Sequence, residues 1–429
     1  GNDPMTADFA MRLASAAAQV LVPKGGTVVI GKDTRLSGYM FESALEAGFV
    51  AAGADVLLLG PLPTPGIARL TQEFDADMGV VISASHNAYF DNGIKFFDRS
   101  GSKLTDEIEV QIEQHLNNRA ITLESQALGK AKRIDTARIR YQDFCAASMP
   151  EGVDLEGIKI VFDGANGAGY KVGPRTLTNL HAEVIPIGCS PNGRNINSGC
   201  GSTEPELLQL TVPAVKADVG IALDGDGDRL VMVDEAGQLI DGDQLLYVLA
   251  LARQEKGERN GPGVGTVMSN LGLEHALRER GIEFKRAAVG DRYVLEALRG
   301  SGGVIGGETS GHMLVLDKTT TGDGLISGLQ ILAIMKETGK PLSELVSGMP
   351  KYPQTMVNVR TDKRLNPDSS AAIKDAVAAA EAELAEAGRV VLRASGTEPV
   401  IRVMVEGEDE RLVVSLANRL AEVVAEAAA

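Results

Sequence analysis

The sequence predicts three similar mixed-sheet α/β domains followed by a small α+β C-terminal domain. Three observations carry this. Strands running into Gly/Ser/Asp-rich loops and then helices recur three times, and from Thr355 the order changes to β-α-β-β-α. The length, 429 residues, accommodates roughly two to four domains.

Met11–Val22 is Ala-rich and reads as a first amphipathic helix; Asp3 and Asp8 precede it, where a secretory leader needs positive charge. Thr27–Gly31 is a strand, Lys32–Gly38 its loop, Tyr39–Gly53 a helix and Ala54–Leu59 the next strand. A helix from Thr64 leads to the apolar run Met78–Ile82, which opens into Ser83–Asn87. The second unit starts at Ile158–Phe162 with the loop Asp163–Gly169, and continues through Val184–Ile187 and Val219–Leu223. The third starts at Gly265–Met268, with helices near Leu273–Arg280 and Tyr293–Leu298, and Val304–Ile305 enters another Gly loop. Such alternation implies mainly parallel sheets with helices on both faces. In the tail, Thr355–Val359 is strand-like, Ser369–Ala387 a helix, Arg389–Arg393 and Val400–Glu406 paired strands, and Arg411–Ala428 a last helix. The domains read as 1–139, 140–238, 239–350 and 351–429, with a hinge near Ser347–Pro353.

Composition narrows the function. A formal net charge of −16, no Trp and few aromatics exclude a nucleic-acid partner, which needs basic stripes and stacking surfaces. No apolar run reaches the roughly 18 residues that span a membrane. Cys145, Cys189 and Cys200 are too few and too scattered for a disulfide framework or a zinc site. A cytoplasmic enzyme is expected. The 49 glycines point to tight loops against ligand or at positive φ.

Four loops carry the chemistry. In Asp224-Gly-Asp-Gly-Asp-Arg229, carboxylates two apart on extended backbone point the same way and converge on a small hard cation. An EF-hand is excluded, because Arg229 stands where its sharp turn needs Gly. Ile82–Asn87 puts Ser85 at the mouth of a buried strand, where open α/β sheets bind ligand. No strained G-x-S-x-G elbow surrounds it, and His86 is badly placed to take its proton, so Ser85 reads as a group carrier or a turn former. Lys95 reads as a base, a phosphate contact or a surface lysine. Gly306–His312 collects Glu308, Thr309, Ser310 and His312, a set suited to a sugar's hydroxyls or amine, with a structural histidine as the alternative for His312. Arg393-Ala-Ser-Gly-Thr397 with Arg402 places hydroxyls, amides and guanidiniums around a turn, as a phosphate cradle or an ordinary hairpin. Gly164–Gly169 misses the Walker pattern by one residue, and Gly261–Gly265 precedes a strand instead of following one, so neither supports nucleotide binding.

A serine loop, a three-Asp loop, a sugar loop and a phosphate loop, in that order, resemble the α-D-phosphohexomutase superfamily. Further matches are Ile30–Met40, Val81–Asn87 with Asp91–Phe97, Val267–Glu274 and Ser395–Glu406, while Val289–Glu296 and Leu316–Gly324 favour its glucosamine branch. The resemblance implies that Ser85 is stored as phosphoserine beside one Mg²⁺ held by Ser85, Asp224, Asp226 and Asp228. It implies a small phosphosugar substrate, with glucosamine 6-phosphate and glucosamine 1-phosphate interconverting through glucosamine 1,6-bisphosphate to feed UDP-N-acetylglucosamine and cell-wall synthesis. Lys95 is then the first choice of general base, with His86 and His312 behind it and Arg229 auxiliary. Glu308 and Ser310 read the sugar hydroxyls, Arg292 assists, and Arg393, Ser395, Gly396, Thr397 and Arg402 hold the phosphate. A phosphomannomutase or phosphoglucomutase, a silent sugar-phosphate binder and a metal-dependent phosphatase are the alternatives; a homodimer stays open. Two departures stand out. Members usually open with a strand and a Gly-Thr-Asp-Gly-Ile-Arg-Gly segment before the region matching Gly1–Met11, so the chain is expected to be short there. Their serine loop also continues His-Asn-Pro, where this one has Ala88.

Overall fold

The computed structural model describes residues 5–258, 261–361, 366, 370–394 and 399–428. Domain 1 runs α1 (Ala7–Leu21), β1 (Gly26–Lys32), α2 (Gly38–Ala51), β2 (Ala54–Pro61), α3 (Thr64–Glu73), β3 (Met78–Ile82), β4 (Ile94–Asp98), α4 (Asp106–Leu116) and β5 (Ala131–Arg133). Its sheet has the order β4-β3-β1-β2-β5, with only β4 antiparallel. β1 is central because both its faces are apolar: Val28 and Ile30 pack with the α1–α2 side, and Val29 joins the core on the other.

Domain 2 follows as α5 (Ala137–Ala146), β6 (Lys159–Asp163), α6 (Val172–Asn179), β7 (Glu183–Ile187), α7 (Glu206–Ala214), β8 (Val219–Leu223), β9 (Leu230–Val233) and β10 (Leu239–Ile240). Domain 3 is α8 (Gly242–Glu255), β11 (Gly263–Thr266), α9 (Leu271–Glu279), β12 (Phe284–Ala287), α10 (Asp291–Ser301), β13 (Ile305–Gly307), β14 (Met313–Val315), α11 (Gly324–Thr338) and α12 (Leu342–Val346). Their sheets are ordered β10-β9-β8-β6-β7 and β12-β11-β13-β14.

One plan therefore repeats. The series β3-β1-β2, β8-β6-β7 and β13-β11-β12 are parallel, and β4, β9 and β14 each add an antiparallel strand beside the third one. Most of the parallel strands match the sequence pattern closely, but the short parallel strands β5 and β12 were not expected from it. One boundary moves: the strand expected at Gly265–Met268 lies at Gly263–Thr266. Ser269 Oγ accepts from the Thr266 N–H and Thr266 Oγ1 from the Met268 N–H, which turns the backbone out of the ladder.

Domain 4 is β15 (Gln354–Arg360), α13 (Ala371–Leu384), β16 (Gly388–Ala394), β17 (Val400–Gly407) and α14 (Glu410–Ala428), with an antiparallel sheet β15-β17-β16. Its core, around Val403, Val405, Leu416 and Leu420, is a cluster of its own, whereas one continuous apolar cluster joins domains 1 to 3. Among the described residues no helix is long and apolar enough to cross a membrane.

Candidate active site

The three repeats place their loops at one topological position, between the third parallel strand and its antiparallel neighbour. The β3–β4 loop holds Ser85, the β8–β9 loop the three aspartates, and the β13–β14 loop Glu308. Ser85 sits in the left-handed region at φ 50°. Its N–H donates to Ser83 Oγ at 2.9 Å, and its own hydroxyl donates to Asp224 Oδ2 at 2.6 Å.

The acidic loop does not converge through extended backbone, as the two-residue spacing suggests. It curls as a turn, with Gly227 at φ 73°, and the curl brings the carboxylates inward. Asp224, Asp226 and Asp228 are all buried, with one ligand oxygen from each lying within 4.8 Å of the others. Gly225 is required here: a Cβ on it would lie 2.6 Å from the Ser85 carbonyl oxygen, so any side chain would push the two loops apart. Asp226 is held by Thr64, whose N–H donates to its carbonyl at 2.8 Å and whose hydroxyl donates to Oδ2 at 2.7 Å.

Cations balance part of this charge. Lys95, on β4, lies 2.7 Å from Asp226 Oδ2 and 3.5 Å from Asp228 Oδ2. Burial alone would lower its pKa, but Asp226 and Asp228 more than offset this and hold the ammonium charged. Buried His312 stands 3.7 Å from Asp228 and 3.6 Å from Asp291. Burial opposes its protonation, Asp228 and Asp291 favour it, and its pKa is raised. Asp228, flanked by Lys95 and His312, is kept low despite its burial. Asp224 is raised by burial and by its two neighbouring carboxylates. The buried oxygens Asp226 Oδ1 and Asp228 Oδ1 have no hydrogen-bond partner among the described residues. Hard, partnerless oxygens at this spacing fit a divalent cation, with Ser85 Oγ at its edge.

The Glu308 loop is pinned from below. Gly311, at φ 88°, lies so close to β9 that a Cβ would stand 1.9 Å from the Leu230 carbonyl oxygen. Glu308 Oε1 accepts from the Gly290 N–H at 2.9 Å. Thr309 Oγ1 donates to Asp243 Oδ2 at 2.7 Å, and the Asn270 N–H donates to the same oxygen at 2.9 Å. A cavity of about 290 Å³ is lined by Met268, Glu308, Ser310, Met356, Arg393 and Arg402, and so lies between domains 3 and 4. Arg393 and Arg402 are directly opposed on β16 and β17. Like charges facing across a ladder repel unless an anion sits between them. Ser395, Gly396 and Thr397 lie outside the described residues.

Burial, and then the Asp241 carboxylate, push Asp243 up to about 6. Its unfolded pKa is about 4, so the folded state bears no cost below pH 4, a growing one as pH rises toward the folded value, and the full cost above it. Stability from this group therefore falls between about pH 4 and 6. Asp243→Asn should remove that slope. In urea unfolding, the variant's stability relative to wild type should improve by up to about 2 to 3 kcal/mol between pH 4 and pH 7.5.

The other expected residues divide between the aspartate site and the surface. His312 faces the aspartates and is not among the residues lining the Glu308 cavity. Arg292 is exposed and pairs with Asp106 of domain 1 and with Glu296 at 3.0 Å. His86 is exposed next to Ser85. The Arg229 N–H donates to Asp224 Oδ1 at 3.1 Å, and its Nε is buried with no hydrogen-bond partner among the described residues. Sequence reasoning missed the layer beneath the site, which includes Asp33, Arg35, Thr64, Ser83 and Asn197. The available signal was Lys32–Arg35, a charged run directly after an apolar strand; Lys32, Asp33 and Arg35 are almost fully buried.

Comparison with known proteins bears on the same four units. Family models described as phosphoglucomutase/phosphomannomutase alpha/beta/alpha domains I, II and III match residues 1–121, 140–237 and 241–352, and that family's C-terminal domain matches 356–423. A phosphoglucosamine mutase of Thioalkalivibrio sulfidiphilus is 55% identical over 428 residues, covering 99% of this chain and 95% of that one. One from Methylococcus capsulatus is 54% identical, covering 100% and 96%. A phosphoglucomutase/phosphomannomutase family protein from Burkholderia thailandensis superposes with a TM-score of 0.81 at 25% identity, over 98% of this chain and 94% of that one. With all four domain models matched in order and relatives at this identity over nearly the whole chain, the chain belongs to the phosphoglucomutase/phosphomannomutase family.

Proposed function

We propose that the chain interconverts glucosamine 6-phosphate and glucosamine 1-phosphate, with Ser85 carrying a phosphoryl group and a 1,6-bisphosphate as intermediate. The observation that carries this reading is the Ser85 hydroxyl 2.6 Å from Asp224, inside a buried group of three carboxylates. The naming of relatives at 54–55% identity as phosphoglucosamine mutases supports the substrate.

The residues divide the work. Arg393 and Arg402, with the Ser395–Thr397 loop, hold the substrate's existing phosphate, which offsets their mutual repulsion. Glu308 and Ser310 orient the ring through its hydroxyls. The sugar 1-hydroxyl oxygen attacks the phosphorus on Ser85; the new O–P bond forms as the Ser85 Oγ–P bond breaks, and the hydroxyl proton leaves to a base. After the bisphosphate turns over, Ser85 Oγ takes the 6-phosphoryl group and the 6-oxygen regains a proton. A divalent cation such as Mg²⁺, held by Asp224, Asp226, Asp228 and the Ser85 oxygen, would neutralise charge on the group in transfer. Lys95 is our first choice to exchange the proton. The carboxylates that keep it charged in the free protein lose that effect once their own charge is offset. Domain 4, with a core separate from the rest, is suited to move as a unit over the cleft and exclude water.

A coupled mutase assay with Mg²⁺ on the 6-phosphates of glucosamine, glucose and mannose tests the reading. We expect glucosamine 6-phosphate to lead in kcat/KM. A lead for mannose or glucose phosphate would reassign the substrate, and steady release of inorganic phosphate would make the chain a phosphatase. Glu308→Gln should lower kcat/KM by roughly 10- to 100-fold, the worth of a charged hydrogen bond to the sugar.

A further inference from the structure

Ser85 lies in the left-handed backbone region, which disfavours a non-glycine residue, so surrounding contacts must hold it there. Those contacts come from two domains and meet on the same two carbonyl oxygens. From domain 1, Arg35 Nη2 donates to the carbonyls of Asn87 at 2.5 Å and Ser85 at 3.3 Å. From domain 2, Asn197 Nδ2 donates to the carbonyls of Ser85 at 2.9 Å and Asn87 at 3.0 Å. Both donors are buried.

Each donor is itself fixed. Asp33 accepts from the Arg35 N–H at 2.8 Å and pairs with its guanidinium. It also accepts from Ser83 Oγ at 2.6 Å, the same hydroxyl that receives the Ser85 N–H. Asn197 is at φ 57°, with its N–H bonded to the Ala165 carbonyl at 2.9 Å. Its Oδ1 is buried with no hydrogen-bond partner among the described residues, and turning the amide over would set that oxygen against two carbonyl oxygens. The Thr34 hydroxyl donates to the Asn166 carbonyl at 2.5 Å, tying the Arg35 segment to the domain 2 loop against which Asn197 is held.

We propose that Asn197 and Arg35 are positioning residues forming a clamp across domains 1 and 2, which aims Ser85 Oγ at the aspartate site only while the two domains stay docked. This rests on the reading of Ser85 as the phosphoryl carrier. Neither side chain touches substrate; both act through the backbone of the serine loop.

The test is steady-state kinetics of Asn197→Ala and Arg35→Lys in the full chain with Mg²⁺, alongside Ser85→Ala. Misplacing the carrier by about 1 Å should lower kcat by roughly 10²-fold. KM for glucosamine 6-phosphate should stay within about threefold, because its contacts lie in domains 3 and 4. Asn197→Asp keeps the shape of Asn without the donor, and it carries the test should Asn197→Ala lose its near-UV circular dichroism. Guanidinium ion at millimolar concentration should restore part of kcat to Arg35→Ala and none to Ser85→Ala. A folded Asn197 variant with normal kcat, or a loss of kcat that only tracks the unfolded fraction, overturns the clamp. If Ser85→Ala itself turns over normally, the reading of Ser85 falls first and the clamp with it. If Ser85→Ala is inactive while the folded Asn197 variants are normal, the clamp alone falls.

Discussion

Ser85→Ala is expected to lower kcat by at least roughly 10³-fold, because no second hydroxyl among the described residues donates to Asp224 in its place. The change removes one oxygen from a partly buried side chain and leaves the backbone conformation as strained as before. The melting temperature should therefore move by only a few degrees. Intact mass should show an added phosphoryl group on wild type treated with a hexose 1,6-bisphosphate, and none on the variant. Retention of near-normal turnover by a folded Ser85→Ala protein would sink the mechanism.

Asp224→Asn should separate function from stability. Three buried carboxylates repel one another, and Lys95 and His312 lie against Asp226 and Asp228, not Asp224. In the metal-free protein an amide at 224 replaces a carboxyl whose charging is opposed by burial and by its neighbours. Its oxygen accepts from the Arg229 N–H and its NH2 donates to Ser85 Oγ, whose hydroxyl turns away, so the melting temperature should hold or rise. With Mg²⁺ the order reverses. Wild type should gain about 2.7 kcal/mol at a concentration one hundred times its Kd, and Asp224→Asn much less. Turnover should fall by roughly 10²-fold or more, since the cation's role is charge neutralisation in the transfer step. Thermal melts with and without Mg²⁺, with EDTA as control, decide it; equal Mg²⁺ shifts in both proteins would mean that Asp224 does not hold the ion.

Much of the fold was legible because its signals are local. Val28–Ile30, Ile160–Phe162 and Ile221–Leu223 are apolar on both faces, which marks central parallel strands, and each is buried. The threefold recurrence was visible as a pattern. That its three chemical loops occupy one topological position was not, because β4 and β14 are short and went unassigned. Val81 pairs with Lys95 across the first of these hairpins, and that register delivers the lysine to the aspartates.

The aspartate site shows the division most clearly. By itself, the sequence determined which residue types share a loop: carboxylates alternating with glycines, a serine after a buried strand, arginines around a hairpin. Spacing within a loop is a local property, set by a few bonds. Only the tertiary structure decided which loops meet. It turned His312 away from the sugar cleft toward Asp228, drew Arg292 to Asp106, and put Arg35 and Asn197 beneath Ser85. It also decided protonation, holding Lys95 charged and raising Asp224, because charge states follow burial and neighbours far away in sequence. Those proximities depend on strand register and domain packing, which sum weak contacts over the whole chain and leave no mark on any short stretch of it.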